Sequence, residues 1–246
     1  MILYINGDSH SVGAELVHNH KGVLKELDDV TGQYQRLQGS ILGKNVHTEC
    51  IKRSYGQHLA NQLGANLVCE AQSGGSNARI IRTTREYLKH TQPDLIIIGW
   101  SPFEREEWLH DGVYYQVSGG GTKTVPADLA DRYRQWVIDQ PRPEIINAKT
   151  LALHQEIFQF HQELADAKIP HLFFNTFNSF EFVPNIGGTQ LDWGRHFVDP
   201  YSESMTYCVW LKTHSYQTVS PGSMHFGPSA HKAWADFLYQ NYFKND

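Results

Sequence analysis

PDLIIIGW, residues 93–100, decides how the chain is read. Leu95 to Ile98 form an unbroken apolar run, which suits a parallel strand covered on both faces better than a half-exposed strand with alternating polarity. Upstream, SGGSNARIIRTTREYLKH (73–90) reads as a glycine turn followed by a helix, with Ile80, Thr84, Tyr87 and Leu88 on its inner stripe and Arg79, Arg82 and Arg85 mostly outside it. NLVCEA (66–71) is a short strand before it, and SYGQHLANQLGA (54–65) is the end of a helix that stops at Gly64. Residues 2–6 form another short buried strand. Downstream, a helix over 144–167 (Ile146, Leu153, Ile157, Phe160, Leu164) leads to a buried strand in IPHLFFNTF (169–177). A last helix over 228–243 starts at Pro228 and turns Ala233, Trp234, Phe237 and Leu238 inward.

Strands and helices in alternation predict a three-layer α/β/α sandwich with a mostly parallel central sheet, one domain over residues 1–246. Three stretches break the pattern as insertions, near 14–47, 103–143 and 178–222. The first contains His18 and His20, read as a solvated loop rather than a metal site, and a turn or two of helix around 23–27. The second holds the aromatics Trp108, Tyr114 and Tyr115, an SGGGT turn and an amphipathic piece over 127–138. Its opening residues, Glu104, Arg105, Glu106 and Glu107, read as a solvated helix start, with the acids favoured by the helix dipole; contact of Arg105 with an acidic substrate is the lesser alternative. With Trp193 and Tyr201, the aromatics suggest either a sugar-stacking platform or ordinary packing of the insertions.

Composition narrows the function classes. The net charge of −5, with both signs interspersed, offers no basic field for nucleic acid. Three scattered cysteines make neither a disulfide framework nor a zinc pattern, so reduced thiols and a cytoplasmic setting are expected. The opening residues lack the pattern of a cleavable leader, and no apolar run approaches the ~20 residues that a membrane helix needs. No cofactor or metal is expected, and the oligomeric state is left open.

In an open parallel sheet, ligands bind at the carboxyl ends of the strands. Ser9, Gly74 and Ser101 each follow a strand of this reading and so share one rim. Ser9 belongs to YINGDSHSVG (4–13), where a strand runs into glycine, acid and serine. A turn explains Gly7 and Asp8 but does not call for the serine. A nucleophile does, provided a base lies within reach.

With the C-terminal SMHFGPSAHKAWADFL, these segments resemble the SGNH or GDSL hydrolase superfamily, whose members are esterases, lipases, thioesterases and deacetylases. The resemblance runs through four short blocks. Gly7-Asp8-Ser9 matches the first, with His10 where leucine is common. Ser73 to Asn77 matches the second, with Gly74 as the glycine that donates a backbone N–H. Gly99-Trp100-Ser101 matches the third with serine in place of asparagine. His225 fits the histidine of the fourth, but the position three before it is Gly222 rather than aspartate. His231, six residues on, reads as a packing or capping residue.

The resemblance implies Ser9 as nucleophile, His225 as base, and an oxyanion hole from the Ser9 and Gly74 N–H groups, with Ser101 serving either there or as a helix cap. Orientation of His225 falls to a backbone carbonyl, Asp192 or Asp199. The expected function is hydrolysis of a carboxylic ester through an acyl-enzyme, with an O-acetyl group on a saccharide as the first candidate. The alternative is a weakly active or inactive binding or assembly protein on the same scaffold.

Overall fold

Side chains alternate across each central strand, and both faces of the sheet are apolar. In the computed structural model, which describes residues 1–17, 47–119, 125–180 and 191–244, the sheet consists of β1 (Ile2–Asn6), β2 (Asn66–Cys69), β3 (Leu95–Trp100) and β6 (His171–Asn175). Every pairing is parallel and the order is β2-β1-β3-β6. Leu3, Ile5, Leu95, Ile97, Leu172 and Phe174 face one side, where α2 (Tyr55–Leu63) and α7 (Pro228–Leu238) pack through Leu59, Trp234 and Leu238. Tyr4, Ile96, Ile98 and Phe173 face the other side, where α3 (Asn77–Leu88) and α5 (Pro143–Asp166) pack through Ile80, Ile81, Ile157 and Phe160. The result is a three-layer α/β/α sandwich. Because the chain leaves β1 first toward β2 and then toward β3, the crevice between the carboxyl ends of β1 and β3 is the switch point where such sheets bind ligands.

Two segments differ from expectation. Glu106 and Glu107 do not start a helix: β4 (Glu106–His110) and β5 (Val113–Val117) form an antiparallel hairpin. Asp111 and Gly112 both adopt positive φ, 48° and 76°, the two-residue turn that matches the twist of paired strands. The Glu107 side chain is buried rather than solvated, that of Glu106 is only half-buried, and both are bonded. Glu107 accepts two bonds from Arg82, at 2.8 and 2.7 Å, and Glu106 accepts from Trp108, Trp136 and Lys149. Within 178–222, expected to be irregular, a helix α6 (Tyr207–Thr213) buries Tyr207, Cys208 and Leu211 against the first face. The amphipathic piece of the second insertion forms α4 (Ala130–Asp139) after a single 3-10 turn. His18, His20 and the turn expected around 23–27 lie outside the described residues. No described helix is long and apolar enough to cross a membrane.

Candidate active site

The link from β1 to Ser9 is held by buried polar groups. Asn6 accepts from the Gly7 N–H at 2.8 Å and donates to Thr83, Thr84 and the Ile80 carbonyl of α3. Gly7 lies where the chain passes very close to β3: a Cβ there would come within 2.2 Å of Ser11 Oγ and 2.8 Å of the Gly99 carbonyl. Asp8 is fully buried and caps the short helix α1 (Ser9–Val12), accepting from His10 N at 2.9 Å. Ser9 therefore starts a helix at the carboxyl end of β1, and its N–H is taken by no other group among the described residues.

Ser9, Gly74 and His225 line one cavity of about 780 Å³. Gly74 has a φ of 75°, a left-handed conformation that ordinary side chains strain to adopt, and its N–H is likewise untaken among the described residues. Ser76 caps α3, and Gln116 of the hairpin accepts from the Ser76 N–H at 2.9 Å, tying this loop to β5. Among the described residues no hydrogen bond joins Ser9 to His225; the cavity brings them together without one.

The acid beside His225 is Glu15. Its Oε1 lies 3.2 Å from His225 Nδ1, and its Oε2 accepts from Ser223 Oγ at 2.5 Å. Ser223 Oγ in turn accepts from the His225 backbone N–H at 2.9 Å. Glu15, not Asp192 or Asp199, thus occupies the place expected for an orienting acid. Asp192 accepts from the Gly194 N–H and Asp199 from the Tyr201 N–H, and neither lines the cavity. Both aspartates lie in turns that cap their own loop, which uses their carboxylates locally.

Ser101 is also used differently from the oxyanion role. Its N–H donates to the Asn77 side chain at 2.8 Å and its carbonyl accepts from that side chain at 2.7 Å. Its hydroxyl accepts from Arg105, and the residue does not line the cavity. Arg105 does, and it pairs with buried Asp8 at 2.8 Å. Among the described residues no such aromatic platform lines this cavity: Trp108 packs against Val117 and Tyr133, and Trp193 stacks on Phe180 and meets Phe158 and Phe197 edge-on. Among the described residues, Phe177 lines the cavity together with the imidazoles of His10 and His225.

Two further histidines lie near. His10 lines the cavity, with its ring 5.0 Å from that of His225 and 4.6 Å from Phe177. Burial, together with His225 and Arg105 alongside, keeps it neutral well below the ordinary histidine range. His231 is buried, accepts the Tyr55 N–H at 3.1 Å and contacts Tyr207 OH; burial lowers its pKa to about 3. That is a packing role. Nothing in the sequence points to Glu15, which lies in a stretch without periodicity.

Among solved structures, the chain is similar to a protein described as lipolytic, of the G-D-S-L family, from Desulfitobacterium hafniense DCB-2, at 9% identity and TM-score 0.37, covering 97% of this chain and 98% of the other. It is similar to a carbohydrate esterase family 2 enzyme with a carbohydrate-binding domain from Corynascus thermopiles at 14% identity and TM-score 0.40, covering 97% of this chain and 64% of that one. A third is LAE5, an alpha/beta hydrolase from the metagenome of Lake Arreo, Spain, at 14% identity and TM-score 0.42, covering 96% and 93%. No curated protein matches the sequence. The family model for DUF6071, described as a family of unknown function, matches residues 44–191, more than half of the sequence, and the chain belongs to that family.

Proposed function

We propose that the chain is a serine hydrolase of the SGNH type that cleaves carboxylic esters through an acyl-enzyme. The observation that carries this reading is the convergence of Ser9, Gly74 and His225 on one cavity, with His225 Nδ1 turned to Glu15. Nδ1 lies at ion-pair distance from Glu15 Oε1 without a hydrogen bond in this state, and Nε2 is the nitrogen that serves Ser9. A serine hydroxyl needs such a base, and the base needs one fixed tautomer.

The steps follow from the placement of these groups. Ser9 Oγ attacks the ester carbonyl carbon while its proton passes to His225 Nε2. Glu15 stabilises the imidazolium that results. The carbonyl oxygen becomes an oxyanion facing the Ser9 and Gly74 N–H groups, where fixed donors act most strongly. On collapse the C–O bond to the alcohol breaks, and His225 returns the proton to the departing oxygen. Water then attacks the acyl-enzyme, giving its proton to His225, and the acid leaves as Ser9 regains a proton.

An O-acetyl group on a saccharide is the substrate this reading favours. Ser118, Asn178, Glu104 and Glu203 line the cavity and offer partners to sugar hydroxyls, and Phe177 offers one apolar face. The test is turnover of aryl acetates and acetylated sugars by wild type and Ser9→Ala. Acetate release that Ser9→Ala abolishes is expected. Release that survives in Ser9→Ala, or no release from any acetylated substrate by folded wild type, counts against the acetylesterase reading, and the second result favours a binding protein.

A further inference from the structure

The third block of the family pattern has serine where asparagine is usual, and Ser101 does not line the cavity; its backbone N–H and C=O are both engaged by Asn77. A hole built only from the Ser9 and Gly74 N–H groups would lack one donor. Four residues after Ser101, a cation reaches the same cavity. Arg105 Nη1 donates to Asp8 Oδ2 at 2.8 Å and to Ser101 Oγ at 2.9 Å. Those two bonds use both hydrogens of Nη1. The Nε and Nη2 hydrogens are claimed by no acceptor among the described residues, and Arg105 lines the cavity with Ser9, Gly74 and His225.

We infer that Arg105 is the third oxyanion donor, a catalytic residue that meets the developing negative charge with the guanidinium hydrogens left over from Asp8 and Ser101. This rests on the serine hydrolase reading. The chemistry favours it in three ways. A guanidinium is a planar fork, so two partners on one nitrogen fix the direction of the rest. Asp8 is fully buried and adjoins the nucleophile, so the same ion pair sets the position of Arg105 relative to Ser9. A hydrogen bond from a cation strengthens as its acceptor gains charge, so the contact stabilises the tetrahedral oxyanion more than the neutral ester. Ser101 becomes a positioning residue: its hydroxyl steers Arg105.

The test measures phosphonylation by a fluorophosphonate, which needs no knowledge of the natural ester. Ser9 Oγ forms a bond to phosphorus, fluoride leaves, the Ser9 proton passes to His225, and the phosphoryl oxygen takes the place of the oxyanion. The rate constant for inactivation and the inhibitor's binding constant are read separately in wild type, Arg105→Lys, Arg105→Gln and the double variant Asp8→Asn/Arg105→Gln. The double variant removes the buried carboxylate that Arg105→Gln would leave unpaired, and circular dichroism checks that it folds. For Arg105→Gln and the double variant, the inactivation rate constant should fall about 10²–10³-fold, the cost of one lost oxyanion donor. Binding should change less than about threefold, since the contact forms with the charge. Arg105→Lys should fall less, about tenfold, because an ammonium keeps the charge but cannot serve three acceptors in the same geometry. An inactivation rate constant within about threefold of wild type in the folded double variant overturns the inference, as does a change confined to binding, which would make Arg105 a ground-state anchor. Wild type that is not labelled at all sinks the hydrolase reading itself, a result distinct from normal labelling that ignores Arg105.

Discussion

Glu15 stands in a conformation that side chains avoid, with φ at 67°. A left-handed non-glycine residue costs roughly 1–2 kcal/mol, and such strain gathers where geometry is put to use. Here it aims one carboxylate at both His225 Nδ1 and Ser223 Oγ. Glu15→Gln keeps the shape and removes the charge, so steady-state kinetics should show kcat lower by about 10²–10⁴-fold, as expected when a base loses the partner that holds its tautomer. Glu15→Gly relieves the strain and loses the bond to Ser223, two effects of similar size, so its Tm should stay near that of wild type while kcat falls as far. Full activity in either variant would remove Glu15 from the mechanism. Ser9→Ala and His225→Ala should each abolish nearly all turnover, and the double variant should be little worse, because the pair acts as one unit. Additive losses would mean that the two residues work independently.

Glu104 to Glu107 read from sequence as a helix start, yet Glu106 and Glu107 open the β4–β5 hairpin. Adjacent acids resemble a first helical turn, but Asp111-Gly112 between two short aromatic-rich runs is a hairpin signal that outweighs them. The element matters because it reaches the site. Arg82 of α3 grips Glu107, Glu107 accepts from Gln116 at 2.7 Å, and Gln116 accepts from the Ser76 N–H two residues beyond Gly74. Gln116→Leu breaks the last two links. Stability should fall by about 1–3 kcal/mol, as measured by urea unfolding, since Ser76 is fully buried and its N–H loses its partner. Turnover should fall by about tenfold, because a small displacement of the Gly74 donor weakens the oxyanion hole. A stability loss without a rate loss would show that the hairpin supports the fold but not the loop.

At the scale of the whole molecule, buried parallel strands are legible because they lack polar alternation: Leu95 to Ile98 announced the sheet centre, and Leu172 to Phe174 its neighbour. The rim position of Ser9 followed from that layout. Glu15 was not legible, because its partner Ser223 lies 208 residues away and only the closed sandwich brings them together. Nor was the part Arg105 plays, since its pairing with Asp8 spans 97 residues. The layers also enclose neutral histidines. Burial lowers the pKa of His154 and His171 to about 4 and of His231 to about 3. Their folded pKa values lie below the unfolded value near 6.5, so the unfolded chain binds more protons between the two. Their contribution to stability is full above about pH 6.5 and is lost as pH falls from there toward 4, each histidine giving a slope of about 1.4 kcal/mol per pH unit once the unfolded form is protonated. Urea midpoints that stay level from pH 7 to pH 4.5 would contradict this burial. The central claim, that Ser9 at the switch point is an activated nucleophile, is tested most directly by mass spectrometry of the full chain after exposure to a fluorophosphonate. One phosphonyl group per chain is expected on the peptide carrying Ser9, with none added to His225→Ala or Ser9→Ala over the same time. An unlabelled folded wild type, or a label on another residue, would contradict it.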